Sequence, residues 1–273
     1  MSETAASEPL HFRIDNGVAI LTLNRPDRGN SLNPELLLAL EAAWKRVETD
    51  EAIRVAVITG AGSRHFCTGA EVQALEMGLG GLQNQPYEQA NRFSPRMAKV
   101  SKPVVCVVNG LCNAGGMHFV ADSDIVVACR DAAFMDSHVT VGQVSALESQ
   151  GVARRAGIGA ALLMGLVGRS YRMPAERAWA IGMIDILEPT IEDAMTRAME
   201  LARAMCRNSP QAMALTKRAI WAVTELNDPI APAYGWELLK SQWAHPDFVE
   251  GPKAFSEKRE PSWNPDPNAR IKP

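Results

Sequence analysis

Hydrophobic and polar positions change rhythm several times along the chain, and each change marks an element. Residues 11–24, HFRIDNGVAILTLN, alternate apolar positions on either side of Asn16-Gly17. That dipeptide suits a tight two-residue turn, so the segment predicts a β-hairpin. After Asn33-Pro34-Glu35 the apolar residues of LLLALEAAWKRVETD recur at helical spacing. Asn33 has the chemistry of an N-cap and Pro34 that of a first helical residue. Residues 53–59 (IRVAVIT), 103–108 (PVVCVV) and 124–129 (DIVVAC) are β-branched runs without alternation, the pattern of buried strands. Between the first two runs, residues 75–98 are rich in Gly, Gln and Asn, with Gly78, Gly80 and Gly81 clustered and only a weak helical pattern. This stretch is expected to be the most mobile. Beyond residue 150 strand signals fade. Residues 151–168 are rich in Ala, Gly and Leu, a helix is expected to start at Pro174, and 191–206 and 209–226 are amphipathic helical runs. Short strands alternating with helices, then helices alone, predict an α/β fold of stacked strand-helix units with a helical last third.

Composition narrows the function. The 273 residues carry 28 Lys and Arg against 31 Asp and Glu, a formal charge of -3, and 47% are hydrophobic. A chain of that size buries a core that needs no metal or disulfide. The charge balance provides no broad cationic field for nucleic acid or an acidic membrane surface. Five cysteines (Cys67, Cys106, Cys112, Cys129, Cys206) show no close pair with metal-ligand spacing and read as buried free thiols in a reducing compartment. The first residues, MSETAASEP, lack the apolar core of a secretory signal, and no window approaches the ~20 apolar residues of a membrane span. A cytoplasmic protein is expected.

Two segments run from an apolar strand into a glycine turn: Phe66-Cys67-Thr68-Gly69-Ala70-Glu71 and Asn109-Gly110-Leu111-Cys112-Asn113-Ala114-Gly115-Gly116. Turns of this kind leave backbone N–H groups unpaired. Two of them converging on one point form an oxyanion hole, which stabilises charge developing on a carbonyl oxygen. Ala70 and Gly115 are the candidate donors, the second at a helix N-terminus where the dipole adds to the effect. Spacing alone is equally consistent with plain strand-to-helix punctuation.

Taken in order, Leu23-Asn24-Arg25-Pro26, Asn30-Ser31-Leu32-Asn33, the two glycine turns, Lys102-Pro103-Val104, Asp124-Ile125, Glu250-Gly251 and Ala254-Phe255-Ser256-Glu257-Lys258-Arg259 resemble the enoyl-CoA hydratase/isomerase (crotonase) superfamily. The resemblance covers nearly the whole chain. It implies a spiral of ββα units over residues 1–205 and a helical trimerisation region over 206–273, assembled as a homotrimer or a dimer of trimers. It implies an acyl-CoA thioester as substrate, polarised by the N–H groups of Ala70 and Gly115, and no cofactor beyond the CoA moiety. Arg28 and Ser31 match residues near the pantetheine and nucleotide of CoA. Phe255 and Lys258 match adenine and phosphate contacts supplied by a neighbouring subunit. Gln73 stands where the family often has a basic residue, a departure at one of the phosphate contacts the resemblance implies. Some relatives bind RNA, but this chain lacks the basic run for it.

The acid/base positions depart from the pattern. Hydratases of the superfamily use two glutamates, and alignment on the glycine run and on Phe134-Met135-Asp136-Ser137 puts His118 and His138 in their places. Imidazole, with an ordinary pKa of about 6.5, does the same class of work near neutrality. His118, three residues after Gly115, is expected to be neutral and able to accept a proton or orient water. His138 follows Asp136 at i+2, which on an extended strand puts both on one face, and precedes Glu148 by ten residues; either carboxylate could orient its ring. A His-carboxylate pair facing an oxyanion hole suits water activation. Fainter likeness to β-diketone hydrolases of the superfamily, which use a His-Asp dyad, rests on Asp136-Ser137-His138-Val139-Thr140-Val141-Gly142, with Glu148 in the role of the aspartate. A surface carboxylate in a Glu-Ser-Gln loop is an equal reading of Glu148. Three outcomes stay open: hydration or isomerisation of an enoyl-CoA, hydrolysis of a thioester or β-dicarbonyl C–C bond, and acyl-CoA binding without catalysis. His11, His65 and His245 read as structural or surface residues, and Trp221, Trp236 and Trp243 as core or subunit packing. Met77, Leu79, Leu82, Tyr87 and Phe93 suit either an acyl pocket or ordinary loop packing.

Overall fold

The computed structural model describes residues 8–71 and 84–271. Gln73, Met77, Leu79, Leu82 and the Gly78-Gly81 cluster lie outside the described residues, as does the mobility expected of 75–83. The hairpin forms as its sequence requires: β1 (Leu10–Asp15) and β2 (Val18–Leu23) pair antiparallel, Leu10 opposite Leu23 and Asp15 opposite Val18. Asn16 and Gly17 take φ of 49° and 85°, the left-handed pair that matches the twist of the strands. The runs IRVAVIT, PVVCVV and DIVVAC become β3 (Val55–Gly60), β5 (Val104–Val108) and β7 (Ile125–Cys129), buried except for the half-buried Ile125. With β10 (Ile186–Glu188) they complete a six-stranded sheet of order β1-β2-β3-β5-β7-β10, parallel from β2 onward. Strands buried on both faces need no alternation, which is why these runs read as continuous apolar segments.

A smaller sheet, order β4-β6-β8-β9, is made of β4 (His65–Cys67), β6 (Leu111–Asn113), β8 (Ala133–Met135) and β9 (Met173–Pro174). The chain visits the two sheets by turns, β3 then β4, β5 then β6, β7 then β8, each pair contributing one strand to each sheet. This is the ββα spiral that the resemblance implies.

Helices fill the remaining connections. In α1 (Pro34–Thr49) the Asn33 side chain accepts from Leu36 N at 2.9 Å, and Leu36, Leu40, Ala43, Trp44 and Val47 turn inward. Trp44 is fully buried, and its Nε1 donates to Phe93 O at 2.7 Å. Residues 84–98 hold one short helix, α2 (Tyr87–Ala90), followed by turns. Next come α3 (Met117–Asp122), α4 (Leu147–Ala156), α5 (Ile158–Val167) and α6 (Ala175–Ala180), which starts after Pro174 as expected. The run 191–206 is α7 (Ile191–Cys206), whose buried stripe of Ala194, Ala198, Met199 and Ala202 lies on β3, β5 and β7; small side chains let the helix approach the sheet closely.

The last third is helical: α8 (Pro210–Ala222), α9 (Ile230–Trp243) and α10 (Asp247–Glu257). Asp124 anchors α8 through Lys217 Nζ and Trp221 Nε1, both at 2.8 Å. Trp236 and Trp243 are instead exposed and pack edge to face, ring centroids 5.5 Å apart. Cys67, Cys106, Cys112 and Cys129 are buried free thiols, Cys206 is half-buried, and burial pushes Cys67 up to about 12. Among the described residues no helix is long and apolar enough to cross a membrane, and no cluster of His, Cys, Asp and Glu is placed to hold a metal ion.

Candidate active site

The site lies where the ladders of the small sheet stop. Beyond Cys67, at the end of β4, the chain turns through Gly69 at φ 88°; beyond Asn113, at the end of β6, it turns through Ala114 at φ 48°. The two turns are pressed together. A Cβ on Gly69 would stand 2.9 Å from Ala114 Cβ and 3.0 Å from Gly115 N, so a left-handed residue without a side chain is required there. A short parallel bridge, Leu32 N to Gly69 O at 2.8 Å and Glu71 N to Leu32 O at 2.9 Å, passes over Ala70 and leaves its N–H without an acceptor among the described residues. Gly115 lies in the first turn of the 3-10 segment Ala114–Gly116, where N–H groups have no intrahelical acceptor. A Cβ on Gly115 would be 3.6 Å from Ala70 N, so the two free donors are neighbours.

Both border a cavity of about 410 Å³. Its apolar wall includes Leu32, Leu37, Phe93, Val144 and Leu147, and its polar wall includes His118, His138 and Glu148. The structure therefore brings Ala70, Gly115, His118, His138 and Glu148 to one space. His118 projects from α3 and packs near-perpendicular to the Phe93 ring, centroids 5.1 Å apart. Glu148 is no surface carboxylate: it stands in the first turn of α4 with its side chain 13% exposed. Its Oε1 is 3.3 Å from His118 Nε2 and 3.8 Å from His138 Nε2.

His138 and Asp136 meet, but not on an extended strand. The β8 strand ends at Met135, and Asp136 Oδ1 accepts from both the backbone N–H (3.0 Å) and Nδ1–H (2.8 Å) of His138 in the turn that opens the 3-10 segment His138–Val141. Short acidic side chains favour bonding to a backbone N–H two residues on, which folds the pair together where pleat geometry would only align it. The carboxylate bonded to His138 Nδ1 is thus Asp136 and not Glu148, which faces the opposite ring nitrogen. Asp136 is buried, and its Oδ2 accepts from Ser145 Oγ, which is 2.7 Å from Ser149 Oγ.

Charge and burial oppose each other across this row. Burial raises the Asp136 carboxyl, but hydrogen bonds from His138 and Ser145 outweigh it and hold the group below its usual range. Burial likewise raises Glu148, and the hydrogen bond and charge of His118, with the charge of His138, bring it below the usual range. For His138 the bond to Asp136 raises the imidazole pKa, burial lowers it, and the charges of Glu148 and Asp136 complete a net rise above 6.5.

The residues matched to CoA contacts do not line this cavity. Arg28 is exposed in the turn Pro26–Arg28. Ser31 is buried and held from within by Arg25, whose Nη1 is 3.2 Å from Ser31 Oγ and whose Nη2 is 3.0 Å from Glu71 Oε2. Phe255, 87% exposed, lies on α10, and Lys258 ends that helix in a left-handed conformation. The other histidines sit elsewhere: His11 meets Asn24 at 2.8 Å, His65 lies on β4, and His245 is fully buried between Asp247 N (3.2 Å) and Asp266 O (3.0 Å). Sequence reasoning missed Asn113 and Ser145. The signal for the first is an amide closing an otherwise apolar strand, Leu111-Cys112-Asn113, and for the second a serine four residues before Ser149.

Comparison with known proteins agrees with this architecture. Residues 13–266 match the family model described as enoyl-CoA hydratase/isomerase. The (E)-benzylidenesuccinyl-CoA hydratase of Thauera aromatica is 30% identical over 263 residues, 93% of this chain and 98% of the relative. The 1,2-epoxyphenylacetyl-CoA isomerase of Escherichia coli is 33% identical over 258 residues, 92% and 96%. A crystal structure of an enoyl-CoA hydratase/isomerase from Mycobacterium paratuberculosis superposes with a TM-score of 0.85 at 34% identity, covering 94% of this chain and 99% of that one. The chain belongs to the enoyl-CoA hydratase/isomerase family and is an acyl-CoA-processing enzyme of the crotonase superfamily.

Proposed function

We propose that the protein moves protons at an acyl-CoA thioester, adding water to an enoyl-CoA or shifting its double bond, with imidazoles where relatives of this fold use glutamates. The observation that carries the reading is that Asp136, His138, Glu148 and His118 form one row, its imidazoles and Glu148 lining the cavity that Ala70 and Gly115 also line. In hydration, neutral His138 Nε2 takes a proton from water while the oxygen adds to the β-carbon. The electron pair of the double bond moves to the thioester oxygen, where the Ala70 and Gly115 N–H groups hold the charge. Glu148, between the two Nε2 atoms, passes the proton on, and His118 returns it to the α-carbon. Asp136 keeps the His138 ring in the tautomer with Nε2 free. The apolar wall receives the acyl chain. Arg28 and Ser31 are assigned to CoA, Phe255 and Lys258 to the CoA of a neighbouring subunit, and the exposed apolar residues of α9 and α10 to contact between subunits of a trimer.

A second reading, hydrolysis, is favoured by the 2.8 Å Asp136–His138 bond, because a carboxylate-backed imidazole also aims hydroxide at a carbonyl carbon. Mass spectrometry of the protein with a panel of enoyl-CoA and β-oxoacyl-CoA thioesters tests both. Water gained without CoA or acid release supports hydration; released CoA or acid supports hydrolysis. With His138→Ala, product formation should vanish while CoA affinity is kept, and unchanged turnover refutes the assignment.

A further inference from the structure

The two oxyanion donors and the base come from three separate turns: the one that presents Ala70, the one that presents Gly115 and the one that presents His138. Asp136 fixes the His138 ring, but it belongs to the same turn as His138 and does not set where that turn stands. One residue joins all three, two through its side chain and one through its backbone. Asn113 closes β6, and its own backbone leads through Ala114 to Gly115. Its Nδ2 donates to Thr68 O at 3.1 Å, two residues before Ala70, and to Ser137 Oγ at 3.0 Å, one residue before His138.

These bonds continue the small sheet past its end. The last backbone pair between β4 and β6 is Cys67 with Cys112, and the last between β6 and β8 is Asn113 with Met135. Thr68 and Ser137 lie beyond those pairs, where the main chains diverge into the turns. The amide orientation follows from chemistry: a carbonyl oxygen can only accept, so Nδ2 must face Thr68 O. The amide oxygen, Asn113 Oδ1, is then buried without a hydrogen-bond partner among the described residues, in a residue only 8% exposed. A buried polar atom left unpaired costs about 1–3 kcal/mol. The chain carries that cost at a position flanked by Cys112 and Ala114, and departures of this sort gather at functional sites.

We infer that Asn113 is a positioning residue that sets the distance between the thioester oxygen, held by Ala70 and Gly115, and His138. This role rests on the function proposed above. It touches neither substrate nor the reacting atoms; it acts through the turns it joins.

The test compares Asn113→Ala and Ser137→Ala with the wild-type enzyme on whichever thioester the wild type turns over best. A displacement of about 1 Å at a reacting group lowers a rate by up to about 100-fold, so Asn113→Ala should lower kcat by about 10- to 100-fold and leave KM within about threefold. Ser137→Ala, which removes one of the two acceptors, should lower kcat less, and the double variant should fall no further than Asn113→Ala. The acid limb of the pH profile should stay in place in both, because Asp136 and Glu148 still face His138. A kcat within twofold of wild type in a folded variant, or a rise in KM alone, overturns the role. If Asn113→Ala does not fold, Ser137→Ala decides by the same criterion. Absence of wild-type turnover on every thioester would overturn the proposed function and this role with it, whereas wild-type turnover with unimpaired variants overturns this role alone.

Discussion

Replacing Asp136 with asparagine removes one charge and little else. The amide oxygen can take the place of Oδ1 and accept both His138 N–H groups, while the amide nitrogen faces Ser145 Oγ, which turns to accept. What is lost is the attraction between a carboxylate and the imidazolium that forms as His138 takes a proton. Unit charges ~4 Å apart at an effective dielectric constant of ~20 interact by ~4 kcal/mol. The His138 side chain is 17% exposed, and the imidazolium is only partly formed at the transition state, so about half to all of that energy is at stake. At about 1.4 kcal/mol per decade, kcat should fall by about 30- to 1,000-fold.

The pH profile provides a second, independent sign. On the proposed mechanism His138 acts as base in its neutral form, and its pKa is raised from the ordinary 6.5, so wild-type activity should fall as pH drops through a value above 6.5. In Asp136→Asn the largest cause of the rise is weakened and the Asp136 charge is gone, while burial still lowers the pKa and the Glu148 charge still raises it. The acid limb therefore moves to lower pH while the plateau falls. Initial rates, followed as loss of the enoyl thioester absorbance from pH 5 to pH 9 with a control for stability, measure both. A variant with wild-type kcat and an unmoved limb would refute the assignment of His138 as the base that Asp136 orients.

The backbone half of the site and the fold give further expectations. Gly115→Ala places a methyl group 3.6 Å from Ala70 N and 3.1 Å from Leu32 Cδ1, beside the two free donors, at a residue whose φ is not positive. It should lower kcat/KM by about 100- to 1,000-fold, the scale of a lost oxyanion donor. The melting temperature should barely change, so unchanged kinetics would show that the carbonyl binds elsewhere. Asn33→Ala removes the cap bond to Leu36 N and should cost about 1 kcal/mol in denaturant unfolding, with an unchanged midpoint showing that the cap contributes nothing net.

Local chemistry made part of this structure legible in the sequence. Asn16-Gly17 and Asn33-Pro34 specify a hairpin turn and a helix start within a few residues, and the three long β-branched runs specify strands because burial on both faces leaves no other pattern. The small sheet left no such trace. HFC, LCN, AFM and MP are too short for any periodicity, and their pairing depends on partners far along the chain. The site shows the same division. Ala70 and Gly115 follow from glycine turns, and His138 with Asp136 from close spacing, although the spacing suggested an extended strand where a turn does the work. For Glu148 the sequence left two equal readings, a partner of His138 and a surface carboxylate among polar neighbours; the placement of α4 over α3 buries it against His118.

Hydration and hydrolysis begin alike at such a site. In both, on the proposed mechanism, His138 takes a proton from water and charge accumulates on the oxygen held by Ala70 and Gly115. They part over which carbon receives the hydroxide. The carbonyl carbon is bonded to that oxygen, whereas the β-carbon lies two bonds further along the acyl chain. A base held close to the donors serves the first, and a base held further along the cavity serves the second. The separation between the donors and His138 is therefore the structural variable that selects the reaction. On the role inferred for Asn113, it is set where the strands of the small sheet end, by Asn113 reaching Thr68 and Ser137, with Asp136 holding the ring beyond. A change at Asn113 should accordingly alter the ratio of hydration to hydrolysis as well as the rate, while a change at Asp136 should lower both reactions together.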